Sequence, residues 1–326
     1  MTEDPPVLDA KGLFSRSTEH VQDPELEAEL RSACETWGFF RLINHGFNEE
    51  ILNDAIEATS AFFDLSPSEK KSCSRSKDNA SGWSNQELTK QQLDLKEIFD
   101  FCYIPFRNLP DDHPDNRSLD GWNQFYDKSQ RTCLLRYFDE MEACSFALLH
   151  SLCRSFSLNF DVVKGLCQDG VGFCRLNYYQ PLGSYRPSEH VVGIHDHTDA
   201  GIFTILWTSA VKGIEFKRDD RYISLDPLPG SLTVNLGDMF AVLMNGLCNA
   251  PVHRVIITED DRRYSIAFFF NPGPSAVVSP DPQCINRLGR RMYPDISWSE
   301  FRSRRFQGDF EDHGREVQIK DYLLHD

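Results

Sequence analysis

Between about Gly172 and Pro272 the chain is a succession of short β-forming runs, at 173–179, 202–207, 213–216, 222–224, 231–236, 252–258 and 264–270, with turn residues between them. That texture predicts a sandwich or double-sheet jelly roll. Upstream the pattern differs. Leu26, Leu30, Ala33 and Cys34 recur at helical spacing over 24–37, and Gly38 closes that helix. A short strand follows at 39–43, then a turn at Asn44-His45-Gly46, a helix over 49–63, and a cap at Ser66-Pro67-Ser68-Glu69. Residues 72–92 and 105–120 read as loops, 98–104 as a strand, and 129–156 as a long amphipathic helix. The expected architecture is mainly β with flanking helices. A helical and strand-bearing N-terminal region (1–165) packs on a jelly-roll core (166–280), and a mostly helical tail (281–326) follows.

Composition narrows the function. A net charge of −16 argues against a broad nucleic-acid surface, which needs clustered Lys and Arg. The basic group Arg302, Arg304 and Arg305 lies near Glu300, Asp309, Glu311 and Asp312, which reads as a solvated, charge-balanced face. No apolar run reaches the roughly 20 residues of a membrane span. The acidic start MTEDPPVLDA has no basic-then-apolar signal pattern, so a cytoplasmic location is expected. The ten cysteines contain no CxxC pair, which predicts reduced, buried thiols rather than a zinc finger or redox motif.

Two His-x-Asp triplets occur, and each serves as a control for the other. His113-Pro114-Asp115 sits in a Pro/Asp-rich loop, with no partner histidine at the start of a strand. His197-Thr198-Asp199 stands where the β-core begins, followed by Ala200-Gly201 and an apolar run. In extended chain, residues i and i+2 face one way, so His197 and Asp199 can both address one ion. His253, inside a later β-run, is the candidate third donor. Two imidazoles and a carboxylate leave open positions suited to non-haem iron(II). His195-x-His197 is an alternative same-face pair, and with His253 it would make a three-histidine zinc site.

Ten residues beyond His253, Arg263 and Ser265 share one strand face. A guanidinium inside a barrel needs a carboxylate to meet it, and a hydroxyl two residues on can bond the same group. Asn177 and Tyr179 also share a face. A structural Arg pairing an internal Asp or Glu is the competing explanation.

Taken together, Trp37-Gly38-Phe39-Phe40 with Asn44-His45-Gly46, then Asn177-Tyr178-Tyr179, His197-Thr198-Asp199-Ala200-Gly201, Asn245-Gly246 through His253-Arg254-Val255, and Arg263-Tyr264-Ser265 resemble the 2-oxoglutarate/iron(II)-dependent dioxygenases of the isopenicillin N synthase-like superfamily. The ordered set spans roughly residues 5–310. The resemblance implies a double-stranded β-helix core with iron at His197, Asp199 and His253. It implies 2-oxoglutarate held by Arg263 and Ser265, helped by Tyr179 and Asn177, with O2 as oxidant and ascorbate as a reductant. Hydroxylation, desaturation and oxidative ring closure are all open outcomes, with succinate and CO2 released. Asp196, beside the metal histidine, is bulkier and more charged than the small residue often found there; a hydrogen bond to a ligand or a surface role are both open.

Strand parity extends the site. If Asn177 and Tyr179 face it, so should Arg175, and Phe269 continues the face of Arg263 and Ser265. The expectation is that Arg175 offers a positive group to a small acidic substrate and Phe269 a flat wall. The alternative for Arg175 is a protein carboxylate. Loops 72–92 and 182–194 are candidate lids. A monomer is expected. Three other functions compete: an iron oxidase that does not use 2-oxoglutarate, a zinc hydrolase using His195, His197 and His253, and a non-catalytic binding protein on the same fold.

Overall fold

The computed structural model describes residues 4–14, 23–76, 78–118, 121–168, 172–182, 191–257, 261–307 and 317–324. The first half carries strands β1 (Val7–Asp9), β2 (Phe39–Ile43), β3 (Gly82–Ser84), β4 (Leu88–Thr89), β5 (Gln92–Leu93) and β6 (Glu97–Cys102), and helices α1 (Pro24–Thr36), α2 (Glu49–Phe63), α3 (Pro67–Lys71), α4 (Lys128–Phe156) and α5 (Phe160–Leu166). The second half carries β7 (Gly172–Tyr179), β8 (Val191–His197), β9 (Phe203–Thr208), β10 (Ile214–Arg218), β11 (Arg221–Ser224), β12 (Leu232–Leu236), β13 (His253–Ile257), β14 (Arg263–Phe270), β15 (Val277–Val278) and β16 (Ile296–Ser297). Helices α6 (Asp238–Leu243), α7 (Pro282–Leu288) and α8 (Trp298–Gln307) complete it.

The helices begin where capping chemistry places them. Asp23 accepts from the Leu26 amide, Asp127 from that of Gln130, and Ser66 and Glu69 form the reciprocal capping box expected from their spacing. Gly38 follows α1 at φ +74°, and its amide returns to Ala33 O at 3.1 Å, a left-handed closure that side chains resist.

Two sheets face each other as a jelly roll. The larger runs β1-β2-β12-β9-β14-β7-β6-β3, and the smaller runs β11-β10-β13-β8. The N-terminal region therefore does more than pack on the core: β1, β2, β3 and β6 extend the large sheet at both edges. Segment 72–92, expected as loop, contains β3 and the β4–β5 hairpin. Of the expected lid 182–194, residues 191–194 belong to β8 and 183–190 lie outside the described residues.

Alternation divides the work of the central strands. On β7, Cys174, Leu176 and Tyr178 join the main hydrophobic core, and on β14 Ile266, Phe268 and Phe270 do the same. Helix α4 covers that face, with Phe138 edge-on to Phe268 at 5.1 Å between centroids, a geometry that adds about 0.5–1.5 kcal/mol beyond area burial. The opposite faces of the same strands look between the sheets, into a cavity of about 160 Å³.

Candidate metal and 2-oxoglutarate site

The cavity is built by register. Across β7 and β14, Tyr179 lies opposite Arg263, Asn177 opposite Ser265, Arg175 opposite Ala267 and Phe173 opposite Phe269. All eight line the cavity. On the facing sheet His253 of β13 lies opposite His197 of β8. Asp199 follows in the turn that leaves β8. Nearby, Gly237 must be glycine, since a Cβ there would stand 2.2 Å from Gly201 O.

His197, Asp199 and His253 present ligand atoms that all lie within 4.8 Å of one another. Each imidazole Nε2 is 3.8 Å from Asp199 Oδ1. His197 Nδ1 donates to His195 O at 2.8 Å and His253 Nδ1 to Pro251 O at 3.0 Å. A carbonyl can only accept, so both Nδ1 atoms carry the proton and both Nε2 lone pairs are free for an ion. Asn235 Nδ2 reaches Asp199 Oδ2 at 3.4 Å. Phe216 stacks on His253, and Phe39 stacks on Phe216, which fixes the ring from behind.

Burial, and then the neighbouring His253, pulls the His197 pKa well below its ordinary 6.5. The unfolded chain takes up the proton that the native site refuses. The metal-free protein is therefore expected to lose stability as pH falls from about 6.5 toward the native value, with no such loss above it. Urea unfolding between about pH 7.5 and about pH 5.5 measures this, and His197→Gln should remove its share of the slope.

His195 takes no part in the triad. The pairing of β8 with β13 slips between His253 and Val255, so that Val255 faces Ile194. The extra residue is a bulge, and it breaks the alternation that would have put His195 beside His197. His195 Nδ1 instead meets Asp94 Oδ1 at 2.9 Å. Asp196 accepts from the Tyr222 hydroxyl. His113 caps a single turn at Pro114–Asn116 that contains Asp115, and neither residue lines the cavity.

Arg263 is 4 % exposed and lies over the Tyr179 ring at 4.8 Å. Its Nε and Nη1 have no hydrogen-bond partner among the described residues, nor does Asn177 Oδ1. Asn177 Nδ2 donates to Ser265 Oγ at 3.2 Å. A buried cation without a carboxylate is costly to maintain. Its surroundings thus fit an anionic ligand, as the two-imidazole, one-carboxylate donor set fits iron(II).

Arg175 differs. Its Nε and Nη2 make a two-point pair with Asp100 at 2.8 Å each, and Nη1 meets Glu87 at 2.9 Å. Asp100 stands directly opposite Arg175 on β6. Lys96 lies 2.6 Å from Glu87 and 3.3 Å from Asp94, and Arg75 lies 3.3 Å from Glu87. Burial works against the Glu87 charge, but Arg175, Lys96 and Arg75 outweigh it and hold its carboxyl low. The charge that parity placed in the pocket wall is thus engaged by protein carboxylates, the competing explanation given for it above.

Sequence reasoning missed this cluster, although Asp100 inside the apolar strand Glu97–Cys102 was a signal of a buried charge. It also misplaced Arg305. The residue is 6 % exposed and hydrogen-bonds Asp238 and Thr198, so it is no part of a solvated face.

Three protein donors on one side of an ion leave the other side open to small molecules, the arrangement of a non-haem iron(II) oxygenase. Residues 5–128 match the family described as non-haem dioxygenase in morphine synthesis, N-terminal, and residues 171–272 match the 2OG-Fe(II) oxygenase superfamily. Codeine O-demethylase of Papaver somniferum is 30 % identical over 315 residues, covering 93 % of this chain and 82 % of that protein. Gibberellin 20 oxidase 1 of Arabidopsis thaliana is 28 % identical over 320 residues, covering 94 % and 80 %. The crystal structure of JOX2 in complex with 2OG, Fe and JA superposes with a TM-score of 0.80 at 24 % identity, covering 98 % of this chain and 89 % of that one. The chain belongs to the 2OG-Fe(II) oxygenase superfamily, and it is a non-haem Fe(II)/2-oxoglutarate-dependent dioxygenase.

Proposed function

We propose that the chain oxidises a small metabolite with an apolar body, using His197, Asp199 and His253 to hold iron(II) and Arg263 with Ser265 to hold the distal carboxylate of 2-oxoglutarate. Iron, 2-oxoglutarate and O2 together supply oxidative decarboxylation to succinate and CO2 and the removal of hydrogen from the substrate. The protein's part is placement. Arg263 Nε and Nη1 are donors left without a partner among the described residues, so the guanidinium has hydrogen-bonding capacity free for a carboxylate, and Ser265 Oγ, steadied by Asn177, adds another donor. Tyr179 backs the guanidinium. The observation that carries this reading is the buried Arg263 guanidinium, two of whose nitrogens have no hydrogen-bond partner among the described residues.

The substrate lies against Phe269 and Phe173, whose rings are 5.7 Å apart and tilted by 48°. Because Arg175 is already paired with Asp100 and Glu87, we assign it to the wall rather than to an acidic substrate group. The named relatives act on chemically diverse small molecules, as their names state: a gibberellin for one and codeine for another. That diversity fits a fixed oxidising end and a variable apolar wall. We further propose that the chain acts as a monomer. No described helix is long and apolar enough to cross a membrane. All ten cysteines are free, which supports a reducing, cytoplasmic setting.

Arg263→Met tests the assignment. It removes a buried charge that no described protein group balances, so metal-free stability should hold or rise. 2-Oxoglutarate affinity should fall roughly 10–100-fold for each charge-assisted bond lost. An anaerobic iron(II)/2-oxoglutarate absorbance titration measures it, and unchanged affinity would remove Arg263 from the site. A metabolite screen scored by succinate release then finds the substrate.

A further inference from the structure

Helix α8 turns Trp298, Arg302 and Arg305 toward the cavity, spaced as i, i+4 and i+7 on one helical face. Arg305 goes further than the wall. Its Nη2 donates to the carbonyl of Thr198 at 2.8 Å, and its Nη1 donates to Asp238 Oδ2 at 3.2 Å. The Thr198 hydroxyl donates to the same Asp238 oxygen at 3.2 Å. The Asp238 amide in turn donates to the Asp199 carbonyl at 2.8 Å. Thr198 is the residue between the two metal ligands, and β8 ends at His197. From Thr198 onward no strand ladder fixes the peptide. The Arg305–Asp238 pair takes the ladder's place, gripping the carbonyl of Thr198 and that of Asp199.

We propose that Arg305 is a positioning residue for the metal site: it sets the peptide between His197 and Asp199, so that imidazole and carboxylate stand ready before the ion arrives. The proposal rests on the assignment of iron to His197, Asp199 and His253. Chelation by residues i and i+2 depends on that intervening peptide, because its rotation turns the Asp199 carboxylate toward or away from His197. Two acceptors must be met at once, a carbonyl and a carboxylate, and the fixed fork of a guanidinium does this where a single ammonium does not. Asp238 is fully buried and supplies the opposing charge that lets Arg305 sit inside the protein. Nη1 also reaches Val317 O at 3.3 Å, so the same side chain ties in the segment beyond α8. If Arg305 were only a staple for α8, its loss would lower stability equally with and without metal.

The test measures Co(II) affinity from the visible absorbance of the bound ion, without 2-oxoglutarate or turnover, alongside the metal-free unfolding midpoint. Arg305→Lys keeps the charge opposite Asp238 and so preserves the fold. Arg305→Met combined with Asp238→Asn removes both charges and leaves neither buried alone. The folded double variant should bind Co(II) about tenfold more weakly, as loss of an outer partner of a ligand does. Arg305→Lys should fall between it and the parent, and both should show an altered Co(II) spectrum. Affinities within about twofold of the parent in both variants, whatever happens to the midpoint, would reduce Arg305 to a staple and overturn the proposal. Failure of the parent itself to bind Co(II) would instead overturn the metal assignment, and the proposal with it.

Discussion

Asp199→Ala is expected to abolish 2-oxoglutarate-dependent turnover, a larger effect than the roughly 10–100-fold that loss of an outer partner costs. Asp199 is 6 % exposed, and its Oδ1 is the shared neighbour of both histidine Nε2 atoms. Without it two imidazoles remain, with no anion to balance the ion or complete its face. The variant should still fold, because the interactions of the Asp199 carbonyl with Asp238 belong to the backbone. Succinate release and the iron(II)/2-oxoglutarate absorbance should vanish together. A zinc hydrolase built on histidines would behave oppositely and tolerate the change. Retained turnover in Asp199→Ala would refute the triad.

Arg175→Met is expected to be the most damaging change outside the metal ligands, through stability. Asp100 is fully buried, and Glu87 is 3 % exposed. Glu87 keeps Lys96 and Arg75, but removing the guanidinium leaves Asp100, among the described residues, with Arg75 alone, 3.8 Å away, a loss of about 3–5 kcal/mol for a broken buried pair. Burial already pushes the Asp100 carboxyl up, against the pull of Arg175. Urea unfolding of Arg175→Met measures the cost, and Arg175→Met with Asp100→Asn should recover a large part of it. Substrate affinity in that folded double variant separates the two roles of Arg175. If it fell steeply, Arg175 would have to touch the substrate as well as its protein partners.

The guanidinium was legible because strand parity converts spacing into facing, and because an Arg and a Ser two residues apart in a strand have little reason to share an interior face except a common ligand. The triad was legible from the His-x-Asp spacing and a later strand histidine, although Asp199 lies past the end of β8. Where parity was interrupted, the reading failed. His195 and His197 are two apart, yet the bulge after Ile194 sends His195 to Asp94. Glu87, Asp94 and Lys96 were illegible for another reason. They lie in a polar stretch of two- and three-residue strands, where local pattern carries little weight and long-range pairing decides burial. Arg305 was hidden because it sits in a run of arginines with acidic residues a few positions to either side, whereas its partners, Thr198 and Asp238, are far along the chain. Arg175 was placed correctly in the wall, but its partners sit on a strand that parity within β7 cannot see.

The alternation of β7 and β14 has a consequence for descent. Positions 173, 175, 177 and 179 with 263, 265, 267 and 269 speak to the ligand cavity, while 174, 176 and 178 with 266, 268 and 270 speak to α4 and the core. Two texts are interleaved letter by letter on one pair of strands. Substitutions in one text fall on the far side of the sheet from the other. A lineage carrying this fold can therefore rewrite Phe173, Ala267 or Phe269 toward a new substrate while the helix-facing letters go on holding the barrel shut.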